Sequence, residues 1–223
     1  MATPGRIDVH HHLVPPAYAD FLRERGVRPG GVEVPRWSPE ASLKVMRRNG
    51  IASSVLSLST PGAWFGDRGE ARRPAREVND YAAGVVADHP TKFGFFATLT
   101  LPDVAGAISE AEYALDVLGA DGVVLLSNSA NTYVYDPAFA PLLAFLHERR
   151  AVAFLHPRRT TRRARSRHPL VHRRLPPRHR PRGHGSGALR RLGEVRRNPV
   201  DPRPRRRLPP LHLPPRAADH APR

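Results

Sequence analysis

Two histidines separated by one residue, His10 and His12, stand at the end of a short apolar run that begins at Arg6-Ile7. Side chains alternate between faces along an extended strand, so His10 and His12 project together while His11 points the other way. Two imidazoles on one face are half of a metal site. A solvated histidine cluster would carry the same letters, so the rest of the chain has to supply a partner. That partner is His156, which ends the apolar run Ala151–Leu155 and precedes Pro157. Alone, His156 reads more simply as a satisfied buried histidine; the His-x-His pair makes it a candidate ligand. Three neutral imidazoles leave a divalent ion one open position, the usual make-up of a catalytic zinc site. Such an ion lowers the pKa of a bound water towards about 7 and polarises a ligated oxygen. His89 ends a helix before Pro90 and His147 lies near a helical surface, so neither is taken as a ligand.

The 223 residues include no cysteine and carry a formal net charge of +16. Without cysteine there is no disulfide framework, and metal ligands are restricted to His, Asp and Glu. The start lacks the charged and continuous apolar stretches of a secretion signal, and no run approaches transmembrane length. A soluble, cytoplasmic protein with no membrane partner is expected. The charge is unevenly spread. Residues 1–157 hold 15 Lys+Arg against 17 Asp+Glu, whereas residues 158–223 hold 21 Arg against 3 acids, with 12 of the 25 prolines and no Phe, Trp or Tyr.

The elements that must position the histidines follow a strand–helix alternation. A first strand covers 6–9, and the Gly/Pro-punctuated stretch 17–36 is loop or short helix. Ser38-Pro39-Glu40 starts a helix through Leu43 and Met46, stopped by Asn49-Gly50. Strands follow at 53–59, 93–98, 122–126 and 151–155. Helices are predicted over about Pro74–Asp88, over Asp103–Leu118, and after Asp136-Pro137 with Phe139, Leu142, Leu143 and Leu146 as its buried face. Near-continuous apolar strands alternating with amphipathic helices predict a parallel sheet covered by helices. No Gly-x-Gly-x-x-Gly follows any strand, which argues against nucleotide binding. His10, His12 and His156 all fall at strand C-termini, where a (β/α)8 barrel carries its functional groups.

The segments DVHHHLVPP (8–16), LSLSTPG (56–62), GADGVVLLSN (119–128) and FLHP (154–157) resemble the amidohydrolase-related metal-dependent decarboxylases, a group that includes aminocarboxymuconate-semialdehyde decarboxylase. The resemblance covers residues 1–157 and implies the first five strands of a TIM-type barrel binding one divalent ion, usually zinc. It implies non-oxidative loss of carbon dioxide from an unsaturated or aromatic acid, with His10, His12 and His156 as ligands. A metal-dependent hydrolase of the same superfamily is the alternative. Trp64, Phe65 and Asn128 fall on loops at the same face and are candidates to line a substrate pocket, although ordinary loop packing is the simpler account of them. The family also uses a histidine after strand six and an aspartate after strand eight; neither motif can be read here.

Residues 158–223 form an Arg/Pro tract without helical or strand period, too poor in apolar residues to fold. One reading is a disordered nucleic-acid arm. The absence of stacking aromatics and of lysine argues against it. Arg, Pro, Ala, Gly and His are also what GC-rich codons give in the wrong frame. Codons can be chosen for Val200–Arg216 that, one nucleotide later, encode WILAHAGGFLPYISHR, which resembles the family's strand-six segment. Several residues fit each shifted codon, so this agreement is permissive. A frame change near Pro157–Arg158 is the preferred reading. The expectation is therefore an N-terminal barrel part (1–157) followed by an out-of-frame tail (158–223). It is inactive as written and aggregation-prone through uncovered sheet edges, with homo-oligomerisation left open.

Overall fold

The computed structural model describes residues 5–158; the tail beyond Arg158, and the disorder expected of it, lie outside the described residues. Five strands, β1 (Arg6–Leu13), β2 (Ile51–Leu58), β3 (Phe93–Thr98), β4 (Gly122–Leu126) and β5 (Ala153–His156), pair in chain order, each pair parallel. Helices α1 (Pro16–Glu24) and α2 (Pro39–Asn49) connect β1 to β2, and α3 (Arg68–Asp88), α4 (Val104–Asp116) and α5 (Ala140–Glu148) fill the next three crossovers. The sheet curls, so that Phe154 of β5 comes within 5.2 Å of the His10 ring of β1. The result is the partial barrel the alternation predicts. No helix among the described residues is long and apolar enough to cross a membrane.

Local chemistry sets the helix boundaries. The Ser38 side chain accepts the Ala41 amide hydrogen at 3.2 Å, Pro39 occupies the first helical position, and Gly50 closes α2 at φ +64, a left-handed conformation that favours glycine. Asp103 caps α4 through the Gly106 amide at 3.2 Å. The third helix starts earlier than Pro74: Asp67 caps it through the Glu70 amide at 2.9 Å, and Pro74 lies inside and buried. The Asp-x-x-Glu start overrides the proline. An interior proline loses a backbone hydrogen bond. Burial of Ala71, Ala75 and Val78 on the same helix opposes that loss. The stretch 17–36 does contain a helix, α1, which buries Tyr18, Phe21 and Leu22.

The main core lies between sheet and helices, with Leu56, Phe95 and Val123 at its centre, each no more than 1% exposed. The face of α4 against the sheet consists of Ala107, Ala111 and Ala114. The larger Val104, Ile108 and Leu118 pack at its flanks. Leu143, expected in the buried face of α5, is 38% exposed, because Phe139, Leu142 and Leu146 already fill the narrow contact stripe. A smaller apolar cluster of Tyr18, Phe21, Leu22, Leu58 and Val78, with Phe65 against it, fixes α1 over the end of β2. Among the described residues β1 and β5 each have one strand neighbour. Ile7 and Val9 on β1, and Val152 and Leu155 at β5, are about half exposed or more.

One polar network is buried between α3, α4 and β3. Asn79 reads the backbone of Thr98 as a neighbouring strand would: Oδ1 accepts its N–H at 2.8 Å and Nδ2 donates to its carbonyl at 3.0 Å. The same Nδ2 donates to Glu110 at 2.8 Å, and Arg76 donates to Glu110 from Nε and Nη2. Removing one member strands the others in a dry site, which costs about 1–3 kcal/mol per orphaned group. Asn79→Ala is accordingly expected to lower the unfolding free energy by about 2–4 kcal/mol in denaturant titration. Arg73→Ala, which removes only the exposed 3.7 Å pair with Glu77, is expected to cost less than about 1 kcal/mol.

Candidate metal centre

β1 carries His10 and His12 in its last four residues and β5 ends on His156. Alternation sends the first two into the barrel mouth, and curling brings the third to them from the opposite border of the sheet. His12 Nε2 lies 3.1 Å from His10 Nε2 and 3.3 Å from His156 Nε2. Ligand nitrogens of all three fall within 4.8 Å of one another. A tetrahedral ion with metal–nitrogen bonds of about 2.0–2.1 Å places its ligand nitrogens about 3.3–3.4 Å apart, so two of the separations already match such a centre.

The outward-facing ring atoms decide which nitrogens are free. His156 Nδ1 lies 2.8 Å from the Pro157 carbonyl, and His12 Nδ1 lies 3.4 Å from the Ser57 carbonyl. A carbonyl can only accept, so each Nδ1 carries the hydrogen and each Nε2 presents a lone pair. Two lone pairs facing each other at 3.3 Å repel unless a cation sits between them. Burial, and then the neighbouring His156 and His10, hold the His12 imidazole below the ordinary histidine pKa. Burial also lowers that of His156, against the opposing effect of the Pro157 carbonyl. Both shifts favour the neutral form that ligates metal. The donor set fits one divalent ion.

His11 faces away, as alternation predicts: its Nδ1 lies 3.1 Å from Asp8 Oδ2 and its Nε2 lies 3.0 Å from Ser42 Oγ of α2. Asp8 also accepts the His10 amide hydrogen at 3.0 Å. Burial opposes ionisation of Asp8, but the His10 amide and the His11 ring outweigh it and hold the carboxyl below the usual carboxylate range. Neither Asp8 nor Ser42 was singled out from the sequence; the only signal was their polarity, which does not reveal a pairing 31 residues apart.

Two cavities adjoin Leu58 at the end of β2. One, about 270 Å³, touches the candidate ligand His12 and is walled by Val14, Tyr18, Leu58, Ser59 and Thr60. The other, about 30 Å³, is lined by Leu58, Trp64, Thr98, Leu99, Leu101 and Arg158 among others. The first is the better place for chemistry, because His12 forms part of its wall. Trp64 thus borders a cavity, while Phe65 packs edge-on against Phe21 at 5.0 Å between ring centres. Asn128 is buried, and its Nδ2 donates to the Arg158 carbonyl at 2.9 Å. Thr98, not anticipated from the sequence, lines the smaller cavity with a buried hydroxyl that has no hydrogen-bond partner among the described residues.

Comparisons with known proteins bear on these features. The amidohydrolase family model matches residues 7–181, more than half of the 223-residue chain, and so runs past Pro157. The chain is 44% identical to the decarboxylase yanB of Aspergillus niger over 177 residues, covering 77% of this chain and 48% of that protein. It is 38% identical over 156 residues to the 6-methylsalicylic acid decarboxylase acuB of Aspergillus aculeatus, covering 68% of this chain and 47% of that one. The chain thus spans about half the length of the curated relatives it matches. Among solved structures, a dihydroxybenzoic acid decarboxylase from Polaromonas sp. JS666, with bound manganese and the inhibitor 2-nitroresorcinol, superposes with a TM-score of 0.56 at 25% identity. That match covers 71% of this chain and 51% of the other. By fold, by the extent of the family match and by sequence identity, this protein belongs to the amidohydrolase family and is related to its decarboxylases.

Proposed function

We propose that residues 1–157 are the metal-binding half of a divalent-metal-dependent carboxy-lyase acting on a hydroxylated aromatic acid. The observation that supports it most is the convergence of the His10, His12 and His156 rings, with the His12 and His156 lone pairs facing each other, beside a cavity. Relatives named as decarboxylases of 6-methylsalicylic and dihydroxybenzoic acids give the substrate class. Three imidazoles and an open position suit zinc, although the Polaromonas relative holds manganese. The ion, when bound, would polarise a ligated substrate oxygen and favour the negative charge that develops as carbon dioxide leaves.

The chain's own residues then have definite tasks. His12 and His156, fixed by carbonyl partners, hold the ion at the cavity wall. Val14, Leu58 and Pro35 exclude water from an aromatic ring. Loss of carbon dioxide leaves an electron pair on carbon that must take up a proton. Among the described residues no Asp or Glu lines either cavity, so no carboxylic acid there is placed to donate it. The expected strand-six histidine and strand-eight aspartate would meet that need.

The same proposal treats residues from about 158 onward as out of frame. Arg158 is consistent with this: it is half-buried, and its Nη1 has no hydrogen-bond partner among the described residues in a cavity walled by Leu58, Leu99 and Leu101. A cation there is not what a substrate cavity for an aromatic ring requires. The composition breaks at Pro157–Arg158, so the change is to be sought at the codons around those residues, although the family match runs on to residue 181. Sequencing the gene there is the direct test; an uninterrupted frame sinks this part of the proposal.

Two further outcomes are expected. His156→Ala should weaken zinc or manganese binding by at least about 100-fold in a competition titration, whereas exposed His147→Ala leaves it unchanged; equal affinities would remove the metal assignment. The chain as written should bind the ion yet release no carbon dioxide from 2-hydroxybenzoates, while a frame-corrected version releases it. Hydrolytic products from the corrected version, without carbon dioxide, would favour the hydrolase alternative.

A further inference from the structure

The stretch from Asp8 to His11 is not a plain strand. β1 and β2 pair Asp8 with Ser54 and His11 with Leu56, so three steps on β1 oppose two on β2 and one extra residue bulges from the ladder. A bulge disrupts the local hydrogen bonding and re-aims the side chains around it. The Asp8 carboxylate meets both consequences. Oδ1 accepts the amide hydrogen of His10, a residue inside the bulge, at 3.0 Å, and Oδ2 contacts His11 Nδ1 at 3.1 Å. Regular alternation would put Asp8 and His11 on opposite faces; the extra residue brings them together. The far nitrogen of His11 then reaches Ser42 Oγ on α2 at 3.0 Å and ties the bulge to the outer layer.

Asp8, His11 and Ser42 have the contact pattern of a hydrolytic triad, but Ser42 is only 5% exposed on the buried side of α2. An acyl substrate cannot approach it, so a nucleophilic role fails on access. What the trio does touch is the backbone of a proposed metal ligand. His10 is exposed, and its ring contacts are His12, His156 and Phe154. The direction of that ring is therefore set mainly by the backbone that carries it.

We infer that Asp8 is the positioning residue of the metal centre: its carboxylate, bridging the His10 amide and the His11 ring, holds the bulge that turns His10 and His12 toward His156. This rests on the metal-binding reading above. The test uses the full chain and its Asp8→Ala, Asp8→Asn and Ser42→Ala variants. Imidazole 15N NMR is recorded without metal, and Co²⁺ is titrated by its visible absorption. Asp8→Ala should displace the His10 and His12 ring signals, alter the cobalt spectrum and weaken cobalt binding by about 10-fold or more. Asp8→Asn keeps an acceptor for the His10 amide, so it should shift mainly the His11 signals and stay within about 3-fold in affinity. Ser42→Ala should move His11 alone. Unmoved His10 and His12 signals in Asp8→Ala would overturn the inference, as would their displacement in Ser42→Ala to the same extent. If Asp8→Ala does not fold, Asp8→Asn decides: His10 and His12 in place with His11 displaced supports it, and the reverse overturns it. If the parent binds no cobalt but the ring signals respond as described, the metal reading falls while the positioning role stands.

Discussion

Two lone pairs turned toward each other, with a third imidazole beside them, set the constraint at this molecule's mouth. Two of the rings have their outer nitrogens occupied by carbonyls, so neither can turn a hydrogen inward without giving up that bond. The repulsion this leaves is relieved most simply by a positive ion. Because His10 and His12 belong to one border of the sheet and His156 to the other, such an ion joins two strands that share no backbone hydrogen bond. Metal binding and closure of the curled sheet are then linked, and part of the ion's binding free energy becomes folding free energy.

The layers outside the mouth make that convergence possible. Parallel neighbours in chain order require a helix in every crossover, and each helix has to sit close enough for the sheet to bend. In α4 the contact is made with alanines, which lets the helix axis approach the strands. Glycine serves the same end at one point: a Cβ on Gly122 would fall 2.4 Å from the Val152 carbonyl, so β4 can enter beside β5 only without a side chain there. The Asn79 bridge holds the upper end of β3 from the helix side, where a further strand contact is not available.

Much of this was legible from residue order. The cap at Ser38, a helix starting at Asp103, the five apolar runs and the His-x-His alternation depend on neighbours in sequence, and each appears in the structure, with the first strand running on past residue 9 to Leu13. The start of α3 was misplaced because Pro74 is a louder local signal than the Asp67–Glu70 cap. Leu143 was misassigned because helical periodicity gives a direction but not the width of the contact it meets. The candidate ligands could be named because metal chemistry restricts them to few residue types. The Asp8–His11–Ser42 chain could not, since it depends on a one-residue slip between two strands and on a helix 31 residues away. Trp64, Phe65 and Asn128 were grouped by loop position, but their contacts differ: one borders a cavity, one packs on Phe21, and one holds a backbone carbonyl.

The register of β1 against β2 slips twice. Between Arg6 and Ile7 the extra residue belongs to β2, and between Asp8 and His11 it belongs to β1, so the pairing at Leu13 has the same offset as at Arg6. The opposed slips cancel along the strand, and only the short span between them is rotated. The ladder therefore meets His12 and Leu13 in the register it had at Arg6, and the displaced pairing is confined to Ile7, Asp8 and the bulge that follows them.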